Sequence, residues 1–69
     1  MILILSSRWS DMLLTLPESG MGYQRVNVRL KSGKLISDLI VENAEKLNIP
    51  EGIELFNEED ITNIEISKT

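Results

Sequence analysis

Two segments of the 69-residue chain contain residue types that could do chemistry. Glu58, Glu59 and Asp60 are adjacent carboxylates, and hard divalent cations prefer several carboxylate ligands. Adjacent side chains diverge on a turn, so we interpret these acids as the first turn of a short helix, whose positive end they stabilise. The string GMG at residues 20–22 could cradle a phosphate, but a phosphate loop follows a strand and precedes a helix. Here a strand is expected after the string, and Glu18 would repel an anion, so we interpret it as a flexible turn.

The chain contains neither His nor Cys. This composition removes the commonest general base, the commonest metal ligand, thiolate metal sites and disulfides. Ser, Tyr and Lys are present, but nothing in the sequence places a base beside any of them. We therefore expect no enzyme activity, no catalytic residue, no metal site, no cofactor and no small-molecule substrate.

A basic strand face is the first candidate binding surface. It consists of Tyr23, Arg25, Asn27, Arg29, Lys31 and Lys34. Contacts from Lys and Arg to phosphates release counterions, and an aromatic ring can stack on a base. The net charge of −4 argues against a nucleic-acid partner. An ordinary solvated strand face is the simpler interpretation, and binding of RNA or single-stranded nucleic acid is the alternative.

Apolar residues near the start of the chain form the second candidate surface, a protein interface. They are Ile2, Leu3, Ile4, Leu5 and Trp9. Trp is favoured at interface hot spots, although this one could equally cover one end of the core. The apolar run of residues 1–5 is far shorter than the about 20 residues of a transmembrane helix, and no basic region precedes it as in a secretory signal. We expect no membrane partner and a cytoplasmic location.

Alternating apolar residues predict the elements that position these surfaces. Val26, Val28 and Leu30 alternate with polar residues and predict a half-buried strand, which residues 31–34 connect to a second strand at 35–41. The second strand has apolar residues at both its odd and its even positions, so both of its faces are apolar. A β-bulge or a strong bend in a barrel would explain this pattern.

Shorter strands are expected around residues 47–49 and 53–55, separated by a turn at residues 49–52. Asn57 is a favourable N-cap for a short helical turn, and a closing strand follows at residues 61–66. The predicted core contains Val26, Val28, Leu30, Leu39, Val41, Leu55, Ile61, Ile64 and Ile66.

These elements predict an all-β fold, a small five-stranded antiparallel barrel with one short helical turn before the last strand. We expect residues 12–69 to form the single domain. Residues 1–11 show no helical period, and we expect them to add an edge strand or a loose tail.

The string VNVRLKSG at residues 26–33 resembles the first motif of Sm-like proteins, in which a V-x-V-x-L-K-x-G hairpin opens a five-stranded barrel. Such a strand carries Gly soon after the hairpin, where this chain has Ser37 and Asp38. The second Sm motif is replaced by the string FNEED at residues 56–60, so the RNA contacts of that family are not carried over.

Residues 12–66 also resemble a group of small bacterial proteins, through the string LPESGMGYQ at residues 16–24 followed by the same hairpin. This resemblance implies a Src-homology-3-like or Sm-like barrel and implies no activity.

The function that these observations favour is a non-catalytic module that binds protein, including another copy of itself. A core this small is marginal, and oligomerisation is a common means of stabilising it. The basic segment at residues 25–34 and the acidic one at residues 42–65 offer complementary charge between copies. Nucleic-acid binding and an accessory domain that regulates an enzyme are the alternatives.

Overall fold

The fold was obtained as a computed structural model that describes residues 1–67. Its elements are β1 (Ile2–Ile4), α1 (Ser7–Leu14), β2 (Tyr23–Leu30), β3 (Leu35–Glu42), β4 (Lys46–Asn48), a 3-10 turn (Glu58–Asp60) and β5 (Ile61–Ile66). The strands form one antiparallel sheet in the order β1-β4-β3-β2-β5. The predicted antiparallel five-stranded sheet is thus confirmed. The sheet is open, because no pairing within residues 1–67 joins the edge strands β1 and β5, and closure into a barrel stays a prediction.

One of the five predicted strands is wrong. Residues 53–55 form no strand, and the fifth strand of the sheet is β1. Gly52 has a φ of 87°, and the chain beyond it turns the side chain of Phe56 inward while Leu55 stays 61% exposed. Leu55 was therefore wrongly placed in the core, because two alternating apolar residues are too few to establish a strand period.

Helix α1 begins within residues 1–11, in which the sequence analysis found no helical periodicity. Leu5, Trp9 and Leu13 are spaced by four residues and are all buried, so they form one apolar stripe along α1 and the residue before it. The helix begins after Ser6, whose backbone N–H donates to Glu58 Oε1 at 2.9 Å. Residues 1–11 therefore contain β1 and the first half of α1. Whether residues 12–69 fold alone stays a prediction.

A β-bulge explains why β3 is apolar at both parities. Val26 pairs with Leu39 and Val28 pairs with Ile36, so Ser37 and Asp38 together lie opposite Asn27. The extra residue lets Ile36 and Leu39 face the same side of the sheet, and both are buried. Asp38 has a φ of 59°, a conformation that glycine adopts most readily and that Asp tolerates better than most residues. Of the two predicted explanations for this strand, the bulge is confirmed.

The core lies between the inner face of the sheet and α1. Six of the nine residues predicted for the core are buried, whereas Leu30 and Ile66 are half-buried and Leu55 is exposed. The buried apolar residues are Leu5, Trp9, Leu13, Val26, Val28, Ile36, Leu39, Val41, Ala44, Leu47, Ile49, Phe56, Ile61 and Ile64. The helix and β4 therefore supply core residues that strand alternation alone did not identify.

Candidate protein-interaction site

Within residues 1–67, strand β1 has one edge that pairs with no other strand. Leu3 pairs with Leu47 of β4, and the backbone groups of Met1 and Leu5 also bond toward that side. Because alternate residues of an antiparallel strand point their N–H and C=O groups to opposite sides, the groups of Ile2 and Ile4 point away from the sheet. Such an edge is a template for pairing with another chain.

The side chains of the same strand add apolar surface to this edge. Ile2 is 53% exposed and Ile4 is 58% exposed, and both lie on the outer face of the sheet. Leu3 is half-buried, while Leu5 and Trp9 are buried in the core, with the Arg8 guanidinium 4.8 Å from the centre of the Trp9 ring. The exposed part of the predicted interface is therefore Ile2 and Ile4, and Trp9 has the alternative role of core residue.

In the structure, the residues of the predicted basic face are distributed along the whole length of β2 and the hairpin that follows it. Arg25, Asn27 and Arg29 lie on the outer face, whereas Lys31 and Lys34 lie in the hairpin beyond the strand. Tyr23 is the first residue of the strand. An extended strand rises about 3.3 Å per residue, so Tyr23 lies about 25 Å from that hairpin. Its ring tip would lie within 2.6 Å of a Cβ built on Gly20, so the ring covers that glycine. The aromatic group is thus separated from most of the cations and already packed on backbone.

Polar and acidic groups also interrupt the row of cations. Asn27 pairs with Glu65 of β5, and its Oδ1 accepts the Asp38 N–H at 3.1 Å. Arg29 donates from Nη1 to the Gly33 carbonyl at 3.2 Å. Carboxylates beside the central position weaken the attraction of this face for phosphate. The nucleic-acid alternative stays a prediction.

A third surface, which the sequence analysis did not identify, is the loop of residues 17–22 that precedes β2, here called the braced loop. The Gly22 N–H donates to Glu18 Oε2 at 2.9 Å, and the Arg25 N–H donates to Ser19 Oγ at 2.8 Å. Ser19 donates from its backbone N–H to the Tyr23 carbonyl at 3.0 Å. The predicted turn is present at residues 20–22, these bonds connect it to its neighbours, and its flexibility stays a prediction.

Gln24 anchors the braced loop to the helix. Its side chain is 3% exposed, the one polar side chain that is buried among the described residues. Nε2 lies 2.8 Å from the carbonyl oxygen of Leu13, 3.2 Å from that of Leu16 and 3.3 Å from that of Pro17. The amide thereby gives the Leu13 carbonyl, which also accepts the Leu16 N–H at 3.0 Å, a second partner, and it bonds the carbonyls of two residues beyond the end of α1. Gln24 shares the parity of Val26 and Val28, so strand alternation alone could have placed it inside.

The braced loop also presents apolar side chains to solvent. Met21, at its tip, is 99% exposed, and Leu14 at the end of α1 is 70% exposed. A groove of about 570 Å³ lies beside them. Its lining includes Leu13, Leu14, Leu16, Glu18, Gly22 and Ala44. The amphipathic stripe of α1 was the signal that could have indicated Leu14, whereas nothing in the sequence distinguishes Met21 as exposed.

The described part of the chain contains no group of three acidic side chains placed to hold a metal ion. No helix among residues 1–67 is long and apolar enough to cross a bilayer. Comparisons with protein-family models, with curated proteins and with solved structures find no match to this chain. The candidate function therefore rests on the geometry of the surfaces themselves.

Proposed function

We propose that this protein is a non-catalytic module that self-associates by pairing β1 with β1 of a second copy. The observation that carries the proposal is the outer edge of β1, where Ile2 and Ile4 combine exposed apolar side chains with backbone groups that no strand among the described residues pairs with. Extended edges of this kind are otherwise covered or charged in proteins that stay monomeric.

The pattern of β1 is self-complementary. In an antiparallel pairing centred on Leu3, Ile2 of one copy lies opposite Ile4 of the other. Both residues point their N–H and C=O groups outward, so each such pair can exchange two hydrogen bonds. The isoleucine side chains then meet across the two strands on the outer face, as favourable cross-strand neighbours. A two-fold axis relates the copies, the commonest symmetry of homo-oligomers.

The finer fold assignment belongs to the same proposal. We infer a small barrel of the Src-homology-3-like or Sm-like type, open at the side where β1 and β5 end the sheet. Support comes from the tight β2–β3 hairpin, from the Asp38 bulge that bends β3, and from β5 returning to pair with β2 after the 3-10 turn.

Sedimentation equilibrium over a range of concentrations tests the self-association. A three-residue strand buries much less than a standard interface, so we expect a weak, reversible dimer. Ile4→Lys should shift the equilibrium to monomer, because it places a charge in the apolar contact. Leu55→Lys is the matched control, since Leu55 is similarly exposed but lies far along the chain from β1.

Salt separates this contact from association between oppositely charged segments. An apolar, hydrogen-bonded edge should assemble equally well at low and high salt, whereas charge pairing weakens as ions screen it. A monomer at all concentrations, or equal dimers for wild type and Ile4→Lys, would contradict the proposal.

A further inference from the structure

The braced loop holds its most apolar residue away from the core. Met21 buries nothing within its own chain, yet the loop beneath it is fixed by the Glu18 carboxylate, by the buried Gln24 amide and by Gly22 at a φ of 82°. The Asn43 N–H also donates to the Gly22 carbonyl at 2.9 Å, which ties the loop to the β3–β4 turn. Rigid loops that project from a scaffold are frequent binding elements, and Met is a common residue of protein-binding surfaces.

The groove at this end of the molecule has a lining of apolar and polar groups in similar measure, and it includes Gly22, the neighbour of Met21 in the chain. Leu13 and Leu16 line it from the helix side, and Ala44 lines it from the β3–β4 turn. Leu14 also lines the groove, and 70% of its surface is exposed. Leu14 and Met21 are therefore exposed apolar residues in the lining of a partly apolar groove or next to it in the chain, and exposed apolar residues grouped in this way mark interaction sites.

Acidic residues lie on both sides of this groove. Glu18 lines it, and Glu45 follows the two turn residues that line its far side, whereas the Glu42 carboxylate accepts a bond from Asn48 Nδ2 on the outer face of the sheet. Asp11 lies one helical turn before Leu14 and is exposed. Lys46 pairs in register with Glu42 and is the nearest cation in that hairpin. The rim therefore carries an excess of negative charge around a partly apolar floor.

We propose that this end of the molecule binds an amphipathic segment of another protein, with apolar residues in the groove and against Met21 and with Lys or Arg facing the acidic rim. The charge argues for a different protein over a second copy. A two-fold contact at this patch would bring the two acidic rims together, and like charges across an interface suppress association.

The inference does not rest on the proposed β1 pairing, and the two can be separated. The Ile4→Lys variant, which removes the β1 contact, serves as the protein for the binding measurement. The probe is a short amphipathic peptide made only of Leu and Lys, and its matched control replaces every Lys with Glu. Amide shifts in two-dimensional NMR report which residues the peptide contacts.

We expect the Leu/Lys peptide to shift the amides of Leu14, Gly22 and Ala44, and its binding to weaken as salt rises. Met21→Asp should weaken binding at least about tenfold, as truncation of a hot-spot residue does. Leu55→Asp, which adds the same charge at an exposed apolar residue outside the patch, should leave binding unchanged. A folded Met21→Asp protein is established by an otherwise unchanged amide spectrum.

Four results would overturn the inference. They are equal binding of the Leu/Glu peptide, the absence of shifts with the Leu/Lys peptide, shifts confined to other surfaces, and a change in the oligomeric state of the wild-type chain caused by Met21→Asp. The last result would mean that a second copy occupies the groove.

Discussion

The β1 edge and the braced loop both expose apolar residues, but they are held in opposite ways. β1 is three residues long, and among residues 1–67 it pairs with one strand only, β4. The braced loop has no long strand, and its order comes from side chains that bond to backbone, chiefly Gln24 and Glu18. The edge offers a repetitive backbone template, whereas the loop offers one particular shape.

This difference affects what each surface recognises. An edge strand pairs through backbone groups that every sequence possesses, so its selectivity comes from the few side chains beside it. The braced loop and its groove select by shape and charge. Substitutions on β1 should therefore change association with little effect on the fold, while substitutions beneath the loop should damage the fold itself.

Removing residues 1–11 should have the largest effect. The deletion takes Leu5 and Trp9 out of the core along with β1. Loss of one buried Trp costs about 3–5 kcal/mol, and a domain of this size has a total stability of about 5 kcal/mol. We expect circular dichroism of residues 12–69 to show no cooperative unfolding, although the sequence alone predicted that this part would fold without the extension.

A shorter deletion separates the edge from the core. Removing only residues 1–4 leaves Leu5 and Trp9 in place, so cooperative unfolding should persist with a lower midpoint. If residues 12–69 unfold at the wild-type midpoint, then Trp9 contributes nothing to the core and the role assigned to α1 is wrong.

Replacing Gln24 should have the next largest effect. Gln24→Met keeps the length of the side chain but removes the donor that lies within 3.3 Å of three carbonyl oxygens. The Leu13 carbonyl keeps its bond from the Leu16 N–H, whereas the half-buried carbonyls of Leu16 and Pro17 lose this donor. The loss should cost about 2 kcal/mol, measured as the shift of the urea midpoint. Asn48→Met is the control, since Asn48 Nδ2 bonds mainly to exposed Glu42 Oε1 and the loss should be smaller. Equal effects of the two variants would refute the anchoring role of Gln24.

The sequence predicted those parts of the fold that depend on local alternation. Val26 and Val28 are buried as expected, the hairpin lies at residues 31–34, and the acidic run forms the expected short helical turn. The bulge was one of two interpretations, because its cause is a single left-handed residue, Asp38, that alternation does not reveal.

The parts that were missed depend on contacts between distant segments. The helical spacing of Leu5, Trp9 and Leu13 was present in the sequence, but the intervening polar residues obscured it. The anchoring of Gln24 requires the end of α1 to lie above β2. The periodicity of apolar residues does not predict this tertiary arrangement. Exposure of Met21 follows from that arrangement, so the candidate groove could not be predicted either.

Gly20→Ala tests the braced loop with a smaller change. A Cβ at this position would lie 2.3 Å from Tyr23 Cε1, so the ring must rotate away from the glycine. We expect a loss of about 1–2 kcal/mol in stability, of the size that overpacking costs. Tyr23→Leu in the same chain should recover part of the loss, because the shorter side chain leaves space for the methyl group. No recovery in the double variant would show that the strain lies in the backbone and not in the ring.

Paired threonine substitutions should change stability least and separate the two surfaces most clearly. Ile2→Thr keeps a residue suited to strands at a position that is 53% exposed, and Met21→Thr changes a side chain that is 99% exposed. Each should alter the unfolding free energy by less than about 0.5 kcal/mol, as surface substitutions usually do. Ile2→Thr should weaken the dimer in sedimentation equilibrium and leave binding of the Leu/Lys peptide intact, and Met21→Thr should do the reverse. If either variant weakens both associations, the two surfaces act as one site, and the contrast between an edge that pairs with itself and a loop that binds another protein must be abandoned.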